Sequence, residues 1–338
     1  MKHPRRLENS RGVTLVELMI VMTVLSIMAV AVTPLFNTTQ QGYSAMEAHA
    51  LIKGAGESTL NVVQHTLTES KRLFENNAND ALYVAKMQRV LAPPLLAGST
   101  LPTIEENGSI SPSTSSFVAA GVGNWLFFAS LGQTFALNVL DSGSVVRSVR
   151  IDSYLFNAYY LATDGNSLGL LNELALWEWH SPIVADYNQI MAISDVTKRN
   201  NVVTNLVSSG TTEAWDPSQT NPNNAFYALT SGGGIALDSG YTLAEKSAKQ
   251  TVKISAVING FYYGVCPNTS STTFVCDHQV PEFGTASGIY FPSGFEIVVV
   301  GPNSDRQVFI RLVLVAQGAF KKLISHEQIL LATVRDLW

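Results

Sequence analysis

Glu17 is the only charged residue between Val13 and Phe36, a run of 24 residues. As a helix that run is about 36 Å long, enough to cross a bilayer core of about 30 Å. A lone carboxylate there costs on the order of 2.5 to 3.5 kcal/mol on insertion scales, so it calls for a partner or a function. Cys266 and Cys276 are the only cysteines, with nine residues between them. They suit a disulfide that closes a short polar loop, provided that this part of the chain lies outside the cytoplasm. Two unpaired thiols are the plainer alternative. A metal site is poorly supplied, because His278 is the one soft ligand nearby and zinc wants about four.

Other chemistry is sparse. His3, His49, His65, His180 and His326 are scattered, and no Ser/His/Asp triad can be nominated. There is no P-loop, dinucleotide fingerprint, H-E-x-x-H or C-x-x-C. The expectation is a protein with no catalytic residues, no metal site and no cofactor, and not an enzyme. Gly232-Gly233-Gly234 lacks the strand and helix context of a phosphate loop and reads as a turn. Trp215-Asp216-Pro217 opens an oxygen-rich loop without the acidic spacing of a calcium loop. Trp177 and Trp179 share one face of a strand and read as core or sheet face, not as a ligand platform.

The elements that must position these residues begin with the apolar run. After Phe36 no apolar stretch approaches about 18 residues, so one membrane segment is the limit. Lys2, Arg5, Arg6 and Arg11 against Glu8 make the first 12 residues +3, and the formal net charge is −5, which leaves −8 for the rest. A basic end beside an apolar span stays in the cytoplasm, so the body lies across the membrane. An acidic body argues against nucleic acid as a partner. An ordinary signal peptide cleaved at Ala29-Val30-Ala31 fits less well, since the run is longer than the usual h-region of about 7 to 15 residues and carries a charge. A plain uncleaved anchor leaves Glu17 without a purpose.

The stretch Arg11-Gly12-Val13-Thr14-Leu15-Val16-Glu17-Leu18 resembles the signal of type IV prepilins and type II secretion pseudopilins. The resemblance implies that a prepilin peptidase cuts after Gly12 and that the new amine of Val13 is methylated. Glu17, fifth from Val13, then pairs with the terminal amine of a neighbouring pilin subunit during assembly. Pro34, 22nd from Val13, matches the helix-bending proline of the family. Valine at position 13 departs from the usual phenylalanine. The order of later features, among them Y-L-F-N-A-Y-Y-L-A and T-V-R-D-L-W, is similar to large minor pilins of the PilW type, related to J-type pseudopilins. The implied location is the inner membrane, single-pass with a periplasmic head, and then the pilus. A pseudopilin or a membrane-anchored adhesin is the alternative.

The fold expected is α+β: a long helix, kinked near Pro34, packed on a large antiparallel β-rich head. Residues 1–12 form the leader, 13–36 the membrane and filament-core helix, 37–75 its amphipathic continuation and 76–338 the head. Tyr43, Met46, Ala50, Gly54, Leu60, Val63, Leu67 and Phe74 mark the apolar stripe of a helix reaching Phe74. Gly54 and Gly56 weaken that helix but suit close approach to a sheet. A short helix is expected over Ala81 to Leu91, before Pro93-Pro94. Strands are expected at Trp125–Ser130, Thr134–Val139, Ser144–Ile151, Tyr154–Ala162, Leu174–Trp179, Asn201–Val207, Thr251–Tyr263, Phe295–Val300 and Val308–Ala316, with a hairpin turn at Asp141-Ser142-Gly143.

Overall fold

The computed structural model describes residues 13–96, 98–107, 121–162, 174–252, 262–266, 294–317 and 323–336. The chain divides into two compact units, 1–47 and 48–338. Helix α1 (Leu15–Thr68) is continuous, with Pro34 inside it. In the first unit its side chains are almost all exposed from Val13 to Phe36. In the second unit Ala48, Ile52, Gly56, Thr59, Leu60, Val63 and Leu67 are buried, a stripe at spacings of three and four. This shifts the phase expected from the sequence. Leu60, Val63 and Leu67 hold, whereas Tyr43 and Met46 are each 72% exposed. A Cβ at Gly56 would overlap the Gln328 side chain, while Gly54 faces open space.

The helix stops at Thr68 and does not reach Phe74. The chain turns into β1 (Ser70–Leu73), which pairs antiparallel with Phe128, Ala129 and Ser130, so sheet hydrogen bonds replace the last helical turn. Helix α2 (Ala78–Ala85) starts three residues earlier than expected, because Asn77 accepts from the Asp80 N–H at 2.8 Å and caps it. After β2 (Ile104–Glu105) come two long strands, β3 (Trp125–Leu140) and β4 (Val146–Ala162). Each merges two of the expected short strands, with a register irregularity between Leu131 and Gln133 absorbing the break. Their turn lies at Asp141, whose Oδ1 accepts from the N–H groups of Gly143 (3.0 Å) and Val145 (2.8 Å).

Beyond β5 (Ala175–His180) and β6 (Val184–Asp186) lie two helices, α3 (Tyr187–Met191) and α4 (Val196–Ser208). The strand expected at Asn201–Val207 is therefore helix. Asp195 caps α4 by accepting from the Lys198 N–H at 2.9 Å. Val202, Val203 and Leu206 are then buried in one apolar cluster with Val139, Ile151, Ala214 and Leu229, a tertiary gain that overrides the β preference of valine. Short strands β7 (Glu213–Trp215), β8 (Phe226–Leu229) and β9 (Ile235–Leu237) follow, then β10 (Ser247–Val252), β11 (Tyr262–Val265), β12 (Phe295–Val300), β13 (Arg306–Gln317) and β14 (Leu323–Val334).

Among the described residues these strands form two sheets. One runs β1-β3-β4-β6-β7-β8-β9, with β5 also on β4 and β10 on β5. The other holds β2, β12, β13, β11 and β14. Pairing is antiparallel apart from β6 with β7 and β12 with β2. Two bridges join the sheets, Leu174 to Val265 and Gly123 to Ile297. The buried stripe of α1 meets both sheets in one apolar cluster that includes Phe128, Leu176, Val265, Ile297 and Ile310. A second, aromatic-rich cluster with Tyr83, Phe127, Phe156 and Trp215 lies with α2. The class is α+β, as the sequence suggested.

Candidate functional site

Of the residues singled out from the sequence, Val13 and Glu17 lie at the start of α1. Thr14 is the residue before the first helical position. Its Oγ1 accepts from the Glu17 N–H at 3.3 Å, and Glu17 Oε2 accepts in return from the Thr14 N–H and hydroxyl, both at 2.9 Å. Leu18 N–H donates to Thr14 O at 3.1 Å and closes the first turn. This is a capping box: two backbone donors that a helix start leaves orphaned are satisfied reciprocally. A carboxylate there also complements the positive end of the helix dipole. Glu17 is thus partnered within its own chain, by a residue the sequence reading passed over. The signal was legible as Thr14-Leu15-Val16-Glu17, a [ST]-x-x-[DE] pattern before an apolar run.

The helix beyond it is fitted to an apolar solvent. Thr23, Ser26 and Thr33 donate their hydroxyls to the carbonyls of Met19 (2.8 Å), Met22 (2.8 Å) and Ala29 (2.6 Å), so these polar groups are satisfied inside the helix. By length and composition α1 is able to cross a membrane. Thr38 Oγ1 donates to Pro34 O at 2.8 Å, one turn past the proline.

Residues 8–33 match the family model of the prokaryotic N-terminal methylation motif. The match makes the amino terminus similar to a prepilin-type signal. With the long apolar helix, the match supports a type IV pilin-like protein. It spans Gly12, Val13 and Glu17 and ends just short of Pro34. No curated protein and no solved structure matches the chain significantly.

Gly12 and Cys276 lie outside the described residues. Cys266 is fully buried, where its N–H donates to Val313 O at 2.9 Å and its carbonyl accepts from the Gly294 N–H at 2.6 Å. In the Trp215-Asp216-Pro217 loop the Asp216 carboxylate is taken up by protein donors: Asn188 Nδ2, the N–H and hydroxyl of Ser218, and Gln219 Nε2, at 2.7 to 3.2 Å. It braces the loop. Gly233 takes a left-handed φ of 83° in a turn closed by Thr230 and Gly234, as the glycine run suggested.

The head also carries buried charge that sequence reading did not single out. Glu178, 2% exposed, accepts from Tyr159 OH (2.7 Å) and lies 2.8 Å from Lys249 Nζ and 3.1 Å from His180 Nε2. Burial pushes its carboxyl up, but the close approach of His180 and Lys249 and the Tyr159 hydroxyl outweigh burial and hold it at about 2. Tyr159 OH also meets Thr66 Oγ1 at 3.1 Å, so this network ties the last turns of α1 to the sheet. Its members come from residues 66, 159, 178, 180 and 249, a separation that local pattern does not reveal.

Proposed function

We propose that this chain is a minor pilin of a type IV pilus, a structural subunit and not an enzyme. Prepilin peptidase cuts after Gly12, Val13 is N-methylated, and residues 13–36 hold the subunit in the inner membrane with its head in the periplasm. Assembly into the pilus runs through α1, with Glu17 as the group that other subunits engage and Pro34 as the bend. The observation that carries this reading is the prepilin-type match over residues 8–33, together with Glu17 as the single charge of the exposed apolar run from Val13 to Phe36. The size of the head, residues 76–338, favours a minor subunit of the PilW type over a repeating major one.

Cleavage breaks the Gly12–Val13 bond and leaves the Thr14 N–H untouched. The capping box therefore survives maturation and keeps Glu17 in place until a second subunit presents its amine. The test is the intact mass and N-terminal sequence of the protein from native membranes, with and without prepilin peptidase. A chain that starts at Val13 with one added methyl, only in the peptidase-positive strain, supports the reading. A start at Val32, or at Met1 in both strains, refutes it. A deletion strain that loses protein export and keeps its pili assigns the chain to type II secretion instead.

A further inference from the structure

A cleft of about 340 Å3 in the head lies between the end of β1, the start of α2, β2, the loop after β7 and the corner formed by Arg306 and Asp336. Two ion pairs line it: Arg72 Nη2 lies 3.0 Å from Asp80 Oδ1, and Arg306 Nε lies 3.1 Å from Asp336 Oδ2. None of the four side chains is more than 10% exposed. Buried pairs of this kind are weak devices for stability, since apolar side chains of similar volume often serve as well or better. Two of them in the wall of one cleft call for another purpose.

The two arginines differ. Arg72 is saturated. Its Nη1 donates to Pro217 O (3.1 Å) and Gln219 O (3.0 Å), its Nη2 meets Asp80, and its plane sits over the rings of Phe74 and Tyr83. It acts as a strut that fixes the 217–220 loop. Arg306 is not saturated. Its Nη2 donates to Asn303 Oδ1 and its Nε faces Asp336, but the buried Nη1 has no hydrogen-bond partner among the described residues. A buried donor left unmade costs about 1 to 3 kcal/mol, more for a charged group. An oxygen anion in the cleft would satisfy it. On the acceptor side, Glu75 Oε1 takes Asn77 Nδ2 and Oε2 takes the Ile104 N–H, each at 3.1 Å, which leaves lone pairs for a further donor.

The lining holds two cations, Arg72 and Arg306, and three anions, Glu75, Asp80 and Asp336, a net of −1. A phosphate or other simple anion is disfavoured by that balance. Among the described lining residues there is no aromatic side chain, so they offer no stacking face for a sugar ring. The volume is at the low end for small-molecule sites. We propose that this cleft binds a small zwitterion with a free ammonium and a free carboxylate, an amino acid or dipeptide, its carboxylate on Arg306 and its ammonium on Glu75. This is separate from filament assembly.

The experiment uses the full chain in detergent micelles, with the twenty standard amino acids and L-alanyl-L-alanine as probes in ligand-observed NMR and thermal-shift titrations. Saturable binding of at least one probe is expected. Its N-acetyl and C-amide forms should bind at least about tenfold more weakly, since each loses one charge-assisted contact. Thr220→Trp, at the exposed mouth, should abolish binding, and Asn79→Trp provides a second block should the first variant unfold. No saturable binding by any probe overturns the proposal. So does binding that survives both tryptophan variants, or that is indifferent to the blocked termini.

Discussion

At the scale of single residues, the question about Glu17 is whether its charge or its cap matters. The carboxylate does two things: it closes the capping box with Thr14, and it offers a negative charge to an amine. Glutamine also caps in this position but carries no charge. Glu17→Gln is therefore expected to keep cleavage and membrane insertion and to lose incorporation into sheared pili, as read by immunoblot of fibre and membrane fractions. Normal incorporation of the glutamine variant would mean that the cap alone suffices. Glu178 gives a second prediction, on stability. Its folded carboxyl is held at about 2, below its ordinary 4.5. The folded state thus binds its proton more weakly than the unfolded state, and the stabilisation is present above about 4.5 and lost as pH falls toward 2. Glu178→Gln should lower the Tm at pH 7 and flatten its fall between pH 5 and pH 2. An unchanged slope would place the acid sensitivity elsewhere. The order of legibility follows from chemistry: Glu17 stood out because a charge in an apolar run needs a reason, whereas Glu178 looks like any strand glutamate until Tyr159, His180 and Lys249 are brought around it.

At the scale of elements, period decided what was readable. Near-continuous apolar runs marked β12 and most of β13, and the paired runs in β3 and β4 differed from their expected form only in being fused. The stripe on α1 was read in the right period but with a different phase near residues 43 to 54, because the exposed residues Tyr43 and Met46 are as apolar as the buried ones. Helix α4 was missed because Val202, Val203 and Val207 have β character, and the cap that Asp195 supplies was not read from the sequence. That cap also reaches across the fold, since Asp195 Oδ2 accepts from the Ser142 hydroxyl (2.6 Å) and N–H (2.9 Å) at the tip of the β3–β4 hairpin. Asp195→Ala should lower the Tm by loosening α4 and the hairpin tip together, with faster amide exchange at Lys198 and Ser142 than at Leu176. A larger perturbation falls on the α1 seam. Leu67 is fully buried between α1 and both sheets, so Leu67→Ala should cost about 2 to 5 kcal/mol in urea unfolding. A cost below about 1 kcal/mol would show that the helix end contributes little to the head's core.

At the scale of the molecule, the two units call for different surroundings. Residues 13–36 expose Leu15, Ile20, Met22, Leu25, Ile27 and Leu35, each 55% or more, a surface that water does not tolerate over such a length. The 48–338 unit has its own apolar clusters, and its share of α1 is amphipathic. A chain cut to begin at Ala48 is therefore expected to be soluble and cooperatively folded, while the full chain leaves membranes only in detergent. That soluble form also tests the compartment. If the head matures outside the cytoplasm, Cys266 and Cys276 should be joined when it is made in an oxidising compartment, with an intact mass about 2 Da below the reduced form. Cys266 already sits in the joint between the sheets, next to the Leu174–Val265 bridge and under Gly294, where a free thiol would have no chemical task. In the chain-entropy model a loop this short is worth roughly 2 to 3 kcal/mol, so Cys276→Ser should lower the unfolding free energy by about that amount in the oxidised protein and leave the reduced protein unchanged. Equal stability of the variant and the oxidised parent would remove the bridge from the account, and with it one argument that the head faces the periplasm.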